Sequence, residues 1–220
     1  MFTRLPELFT GLTNLLIFFC CIFFLWGINN YPSKDKQHDQ LWRCLFFSLL
    51  LAAAWGTINH CFTFVRASQV TYTWIWRGQT VLLNLTALTF ALGPCYDAFP
   101  RLFRIFCPLL ILAGIGSFVF TLATLQKTGS YLTVFAWYAI LCLSLASFSA
   151  FKLMLTKRGK MGLFLLLGMM FAFGAGLFML YTRKTVWDIG ITVDGNTPCH
   201  FLILLTAFCY YLAHLQSRRR

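Results

Sequence analysis

Seven apolar runs, each near the length that crosses a bilayer, limit what this chain can become. They are Leu8–Ile28, Leu45–Val65, Tyr72–Leu92, Ile105–Leu125, Tyr131–Phe151, Met161–Tyr181 and Cys199–Leu215. About 20 predominantly apolar residues span the hydrocarbon core as a helix. Lipid offers the backbone no partner, so a spanning segment is a helix or part of a closed barrel. Period-two alternation is absent, which removes the barrel. The expected fold is all-α: a multi-pass membrane protein, a seven-transmembrane-helix bundle forming a single domain over residues 1–220. Short connections make neighbouring helices antiparallel. The composition agrees, with 59% hydrophobic and 11% charged residues, against about 45–50% and 25% in a soluble domain.

The first run is longer than a signal-peptide core and lacks an Ala-x-Ala-like exit, so it is read as a retained helix. The nine cysteines are scattered, mostly within the runs, and no CxxC pair occurs. They are read as small apolar packing residues.

The net charge of +12 does not point to nucleic acid in such a chain; it reports loops sorted across a membrane. Lys34, Lys36, Arg43, Arg101, Arg104, Lys152, Lys157, Arg158, Lys160 and Arg218 to Arg220 fall on one side. Arg4, Arg66, Arg77, Lys127, Arg183 and Lys184 fall on the other. Twelve against six puts the first side in the cytoplasm, with the N-terminus outside or lumenal and the C-terminus cytoplasmic. The expected partners are membrane lipids, with Arg218 to Arg220 at the anionic leaflet. The sequence carries no signal of oligomeric state.

Polar side chains inside spans are costly and point to function. His60, beside Asn59, lies near the end of the second run. Asn14 lies about two turns into the first, after Glu7, Thr10 and Thr13. Arg77 and Gln79 follow the interfacial aromatics Tyr72, Trp74 and Trp76, and Asn84, Thr86 and Thr89 continue that track. Thr197 is expected to cap the seventh helix, with Pro198 at its first position and His200 in its first turn. Helix direction lets Glu7, Asn14, His60, Arg77, Gln79, Asp188, Asp194 and His200 share the outer half of the membrane. The expected polar chamber lies there, between helices one, two, three and seven. Arg77 is read as a counter-ion for Glu7 or as a head-group contact. Gly168, Gly174 and Gly176 are expected to let helix six approach its neighbours.

His214 is about 21 Å beyond His200 along a helix, and His38 is expected in a cytoplasmic loop. Both are therefore remote from the chamber. Asp97, after Gly93-Pro94-Cys95-Tyr96, is expected on a solvated turn. His60 and His200 either hydrogen-bond across the bundle and fix its packing or form a metal or catalytic pair. Catalytic zinc takes three protein ligands, so a third would come from Glu7, Asp188, Asp194 or a cysteine; Cys61 and Cys199 adjoin the histidines but point away from them.

Gly56 four residues before His60, and Pro198-Cys199-His200 opening helix seven, resemble the alkaline ceramidase and adiponectin-receptor-like superfamily. Leu12-Thr13-Asn14-Leu15 and Trp74-Ile75-Trp76-Arg77 look similar to uncharacterised seven-helix members of that group. The resemblance implies a zinc ion held by three histidines and hydrolysis of a lipid amide. Here Leu204 stands where the second helix-seven histidine would be, Gly56 replaces a serine, and no acid lies between Ala67 and Thr73. Only His60 and His200 carry over. The resulting expectation is a divergent, metal-dependent lipid amide hydrolase. His60 and His200 would hold Zn2+, Glu7 would complete the catalytic set, and Asn14, Asn59, Arg77 and Gln79 would line the binding chamber. The alternative is a non-enzymatic seven-helix protein that binds a lipid or a protein partner.

Overall fold

The computed structural model describes residues 5–61, 69–128, 132–182, 186–188 and 192–218. Its helices are α1 (Leu5–Asn30), α2 (Lys36–Cys61), α3 (Gln69–Ala98), α4 (Phe103–Thr128), α5 (Leu132–Met154), α6 (Gly159–Thr182) and α7 (Asn196–Ser217). All seven are long and apolar enough to cross a membrane. The chain is thus an all-α, integral multi-pass membrane protein, as its apolar runs require. Between α6 and α7, β1 (Val186–Asp188) pairs antiparallel with β2 (Thr192–Asp194), Trp187 opposite Val193, and β2 lies against α1.

The helices outrun the apolar stretches that announce them. α2 begins nine residues before the expected Leu45 because Asp35 caps it: Oδ1 accepts from the backbone N–H groups of Gln37 and His38 at 3.0 and 3.1 Å. An N-cap acid satisfies orphan donors and complements the positive helix end. Burial alone would raise the Asp35 pKa, but these backbone bonds and one from the Tyr96 hydroxyl hold it below the ordinary carboxylate value.

α3 likewise continues through Pro94 to Ala98. Proline removes the N–H that would bond the carbonyl four residues earlier, here that of Phe90. The buried Tyr210 hydroxyl of α7 donates to that carbonyl at 3.2 Å. A tertiary bond thus replaces the missing helical one.

Packing runs around a ring: α1 touches α2 and α7, α7 touches α6, α6 touches α5, α5 touches α3, and α3 touches α2. α4 sits outside, against α3 and α5. Only 11% of the α4 span is buried, against 61% for α3, so α3 is the wall of the interior and α4 turns its apolar surface outward. The core is carried by Ile17, Phe24, Trp42, Phe46, Leu165 and Tyr210, with Phe24 stacked on Tyr211 at 4.4 Å. The expected close approach at α6 holds at Gly168, where a Cβ would stand 3.0 Å from the Tyr210 ring. Thr206 Oγ1 also reaches the Gly168 carbonyl at 3.2 Å. At Gly176 it fails, because a Cβ there meets nothing within 4 Å.

Candidate functional site

At the end of the bundle where α2 finishes and α7 starts, His60 and His200 meet edge to face, their ring centroids 5.6 Å apart. Asn14 links α1 to this pair. Its Nδ2 donates to the Thr10 carbonyl at 3.2 Å and to His200 Nδ1 at 3.3 Å. A neutral imidazole has one acceptor and one donor nitrogen, so His200 Nδ1 accepts and Nε2 carries the proton. Gly56 makes room for this bridge: a Cβ on it would lie 3.0 Å from the Asn14 side chain. Thr197 does not cap α7 as expected. The helix begins two residues earlier, at Asn196 after Gly195, with no side-chain cap bond, and Thr197 Oγ1 instead bonds Thr10 Oγ1 at 3.0 Å. Pro198 remains in the first turn, where its missing N–H is tolerated.

Beneath the pair lies a cavity of about 260 Å³. Asn14, Asn59, His60, Gln79 and His200 line its polar part, and Leu49, Leu83, Phe90, Leu143, Met179 and Ile203 much of the rest. The expected chamber between α1, α2, α3 and α7 is therefore incomplete. Ala139 and Leu143 of α5 and Ala172, Ala175 and Gly176 of α6 also form its wall. Displacement of α4 from the ring is what brings α5 and α6 to the interior. Gln79 Oε1 is buried with no hydrogen-bond partner among the described residues. Arg77 does not line the cavity; its guanidinium lies over the Trp74 ring at 4.7 Å. The side chains of Glu7, Cys61, Asp188 and Asp194 fall outside the described residues.

The opposite end, about 33 Å away along α2 at 1.5 Å per residue, holds a second polar group. Two expectations are corrected there, for His38 and Asp97. His38 belongs to the first turn of α2 and is buried, not in a loop. Asp97 is in the last turn of α3 with its side chain 4% exposed, not on a solvated turn. His214, though remote from His200, is fully buried and meets His38.

Their bonds run in one direction. Arg218 donates through Nε and Nη2 to His214 Nε2 at 2.9 and 2.6 Å. His214 Nδ1–H then donates to His38 Nε2 at 3.1 Å, and His38 Nδ1–H to Asp97 Oδ1 at 2.9 Å. Asp97 also accepts from Trp42 Nε1 at 3.3 Å and Arg158 Nη1 at 3.2 Å. The two imidazoles stack with centroids 5.1 Å apart. Because guanidinium can only donate, these tautomers follow from the partners.

His38, Asp39 and His214 each offer one ligand atom, all within 4.8 Å of one another. This buried cluster could hold a metal. His60 and His200, the expected metal pair, belong to no such group among the described residues.

The signal for the second cluster was present. α2 starts, and α3 and α7 end, on the same side, so the direction argument that joins His60 to His200 also joins His38, Asp97 and His214. Reading the ends of the apolar runs as the ends of the helices hid it.

No curated protein matches the chain. The model of a family of unknown function (DUF6962) matches residues 9–219, nearly the whole length, and the chain belongs to that family.

Proposed function

We propose that this membrane protein binds a single-chain amphiphile in the cavity under His60 and His200. The head group lies against Asn14, Asn59, His60, Gln79 and His200, and the chain lies along Leu83, Leu143, Met179 and Ile203. One observation carries the reading: an apolar-walled cavity between helices that ends in convergent polar groups, including Gln79 Oε1, an acceptor unpartnered among the described residues. Such sites are mostly apolar, with a few polar groups that set orientation. The Gln79 oxygen calls for a donor and His200 Nε2–H is one, which suits an amide or alcohol head group. A volume near the low end of ligand pockets, about 300–1,000 Å³, favours one acyl chain over a two-chain phospholipid. With twelve of the Lys and Arg residues on the His38 side, the cavity belongs to the non-cytoplasmic half.

A second reading has the His60–His200 contact as its own support. In it the pair would hold Zn2+ with a third ligand, and the metal would supply an activated water, its pKa lowered to about 7, for hydrolysis of a lipid amide. One experiment separates them. Tag-free protein is incubated with a fluorescent long-chain N-acyl amine, and binding and cleavage are both followed, with and without Zn2+. Binding without cleavage, weakened in Gln79→Ala and His200→Ala, supports the first reading. Zn2+-dependent cleavage lost in His60→Ala supports the second. Neither binding nor cleavage by folded protein removes both.

A further inference from the structure

We propose that His38, Asp39 and His214 form a divalent transition-metal site at the end of the bundle opposite the cavity, where the metal competes with Arg218 for His214. Two imidazoles and a carboxylate are a ligand set that suits zinc and neighbouring divalent metals.

Three observations point to an ion rather than to packing alone. The first is Asp39. It is 2% exposed, yet Oδ1 has no hydrogen-bond partner among the described residues, and Asp39 offers a ligand atom within 4.8 Å of those of His38 and His214. Its other oxygen is engaged, accepting from the Ser33 backbone N–H at 2.6 Å. A buried carboxylate oxygen without a partner is costly, and a cation bound there would remove that cost.

The second is Asp97. It accepts the Nδ1–H of His38, which leaves the Nε2 lone pair directed at His214. A carboxylate that fixes the tautomer of a ligating histidine is the usual outer support of a metal site. Asp97 is itself held by Trp42 and Arg158.

The third is spacing. His38 Nε2 and His214 Nδ1 are 3.1 Å apart, close to the roughly 3.4 Å that separates two nitrogens bound tetrahedrally at 2.0–2.1 Å. Ser217 Oγ, 2.9 Å from His38 Nε2, stands beside the ligands.

Arg218 makes the proposal specific. Its guanidinium donates twice to His214 Nε2. A metal on Nδ1, the nitrogen that faces His38, places the proton on Nε2, which can then no longer accept. Binding thus expels Arg218, so removing it strengthens metal binding. A purely structural cluster gives no reason for that gain.

The chain has four histidines, two at each end, so variants assign any imidazole-bound metal. Tag-free, detergent-solubilised full-length protein is titrated with Zn2+ by calorimetry and with Co2+ by its visible ligand-field bands. The expected result is one equivalent bound by wild type and by His200→Ala, with loss in His214→Ala. Asp97→Asn is expected to bind about 10–100-fold more weakly, the usual effect of removing an outer carboxylate. Arg218→Ala is expected to bind about tenfold more tightly. Should His214→Ala not fold, Asp97→Asn and Arg218→Ala decide. Folded wild type that binds no equivalent, binding lost in His200→Ala but kept in His214→Ala, or Arg218→Ala that binds no more tightly than wild type would each overturn the proposal.

Discussion

Both ends of this bundle bring a histidine of α2 against a histidine of α7, yet the two meetings differ in kind. His38 and His214 sit in a run of bonds that begins at Arg218 and ends on Asp97, with Trp42 and Arg158 closing it. His60 and His200 touch edge to face above a cavity of about 260 Å³ whose wall carries an amide oxygen unpartnered among the described residues. The same residue type from the same two helices joins a bonded ligand set at one end and borders an apolar-walled cavity at the other. The contrast teaches that histidine pairing between helices does not identify a binding site. Both ends leave a buried acceptor without a partner among the described residues, Gln79 Oε1 at one and Asp39 Oδ1 at the other, so what sets them apart is the space beside the pair.

Substitutions that sharpen this contrast fall in order of expected effect. Asp97→Ala should cost most, about 3 kcal/mol or more, because it strands His38, Trp42 and Arg158 together. Chemical unfolding in detergent measures it, and a loss below about 1 kcal/mol would break the contrast. Tyr210→Phe should cost about 1–2 kcal/mol, since it leaves the Phe90 carbonyl opposite Pro94 unbonded within the membrane.

Asp35→Ala should cost about 1 kcal/mol as a lost N-cap. Its pH dependence has a definite sign. A carboxylate held below its ordinary pKa stabilises the fold above that pKa, and the contribution fades as pH falls through the lowered folded value. The wild-type advantage over Asp35→Ala should therefore be full near neutrality and shrink in acid. An advantage that grows in acid would contradict the capping geometry. His200→Ala should cost least, under about 1 kcal/mol, because one side of it faces the cavity, while amphiphile binding falls about tenfold.

The bundle was readable because hydrophobic length is a direct consequence of bilayer thickness, and all seven runs became helices. The His60–His200 contact was readable too. Alternating helix direction puts the end of α2 and the start of α7 on one side, and residue spacing puts both rings at similar depth. Helix ends were less legible. Lys36 to Cys44 is polar enough to look like a loop, but Asp35 caps it and Trp42 buries it. The Gly93-Pro94 pair looks like a helix stop, yet Tyr210 repairs the gap it leaves. Those two misreadings concealed the His38–Asp97–His214 group. The contributions of α5 and α6 to the cavity were also hidden, since nothing in the apolar run of α4 marks it as the helix left outside the ring. Glu7, Asp188 and Asp194, named as candidate ligands from their positions in the chain, have side chains outside the described residues.

The most direct test of the account uses Gly176→Leu. A Cβ at Gly176 meets nothing within 4 Å, and the residue lines the cavity. A leucine there should fill the cavity without disturbing the packing, and replacing glycine within a helix should if anything stabilise it. Binding of a fluorescent long-chain N-acyl amine is measured for wild type and Gly176→Leu at equal folded fraction. The account predicts at least a tenfold loss of affinity with unchanged or raised thermal stability. Equal affinity in the two proteins would mean that the amphiphile does not occupy this cavity.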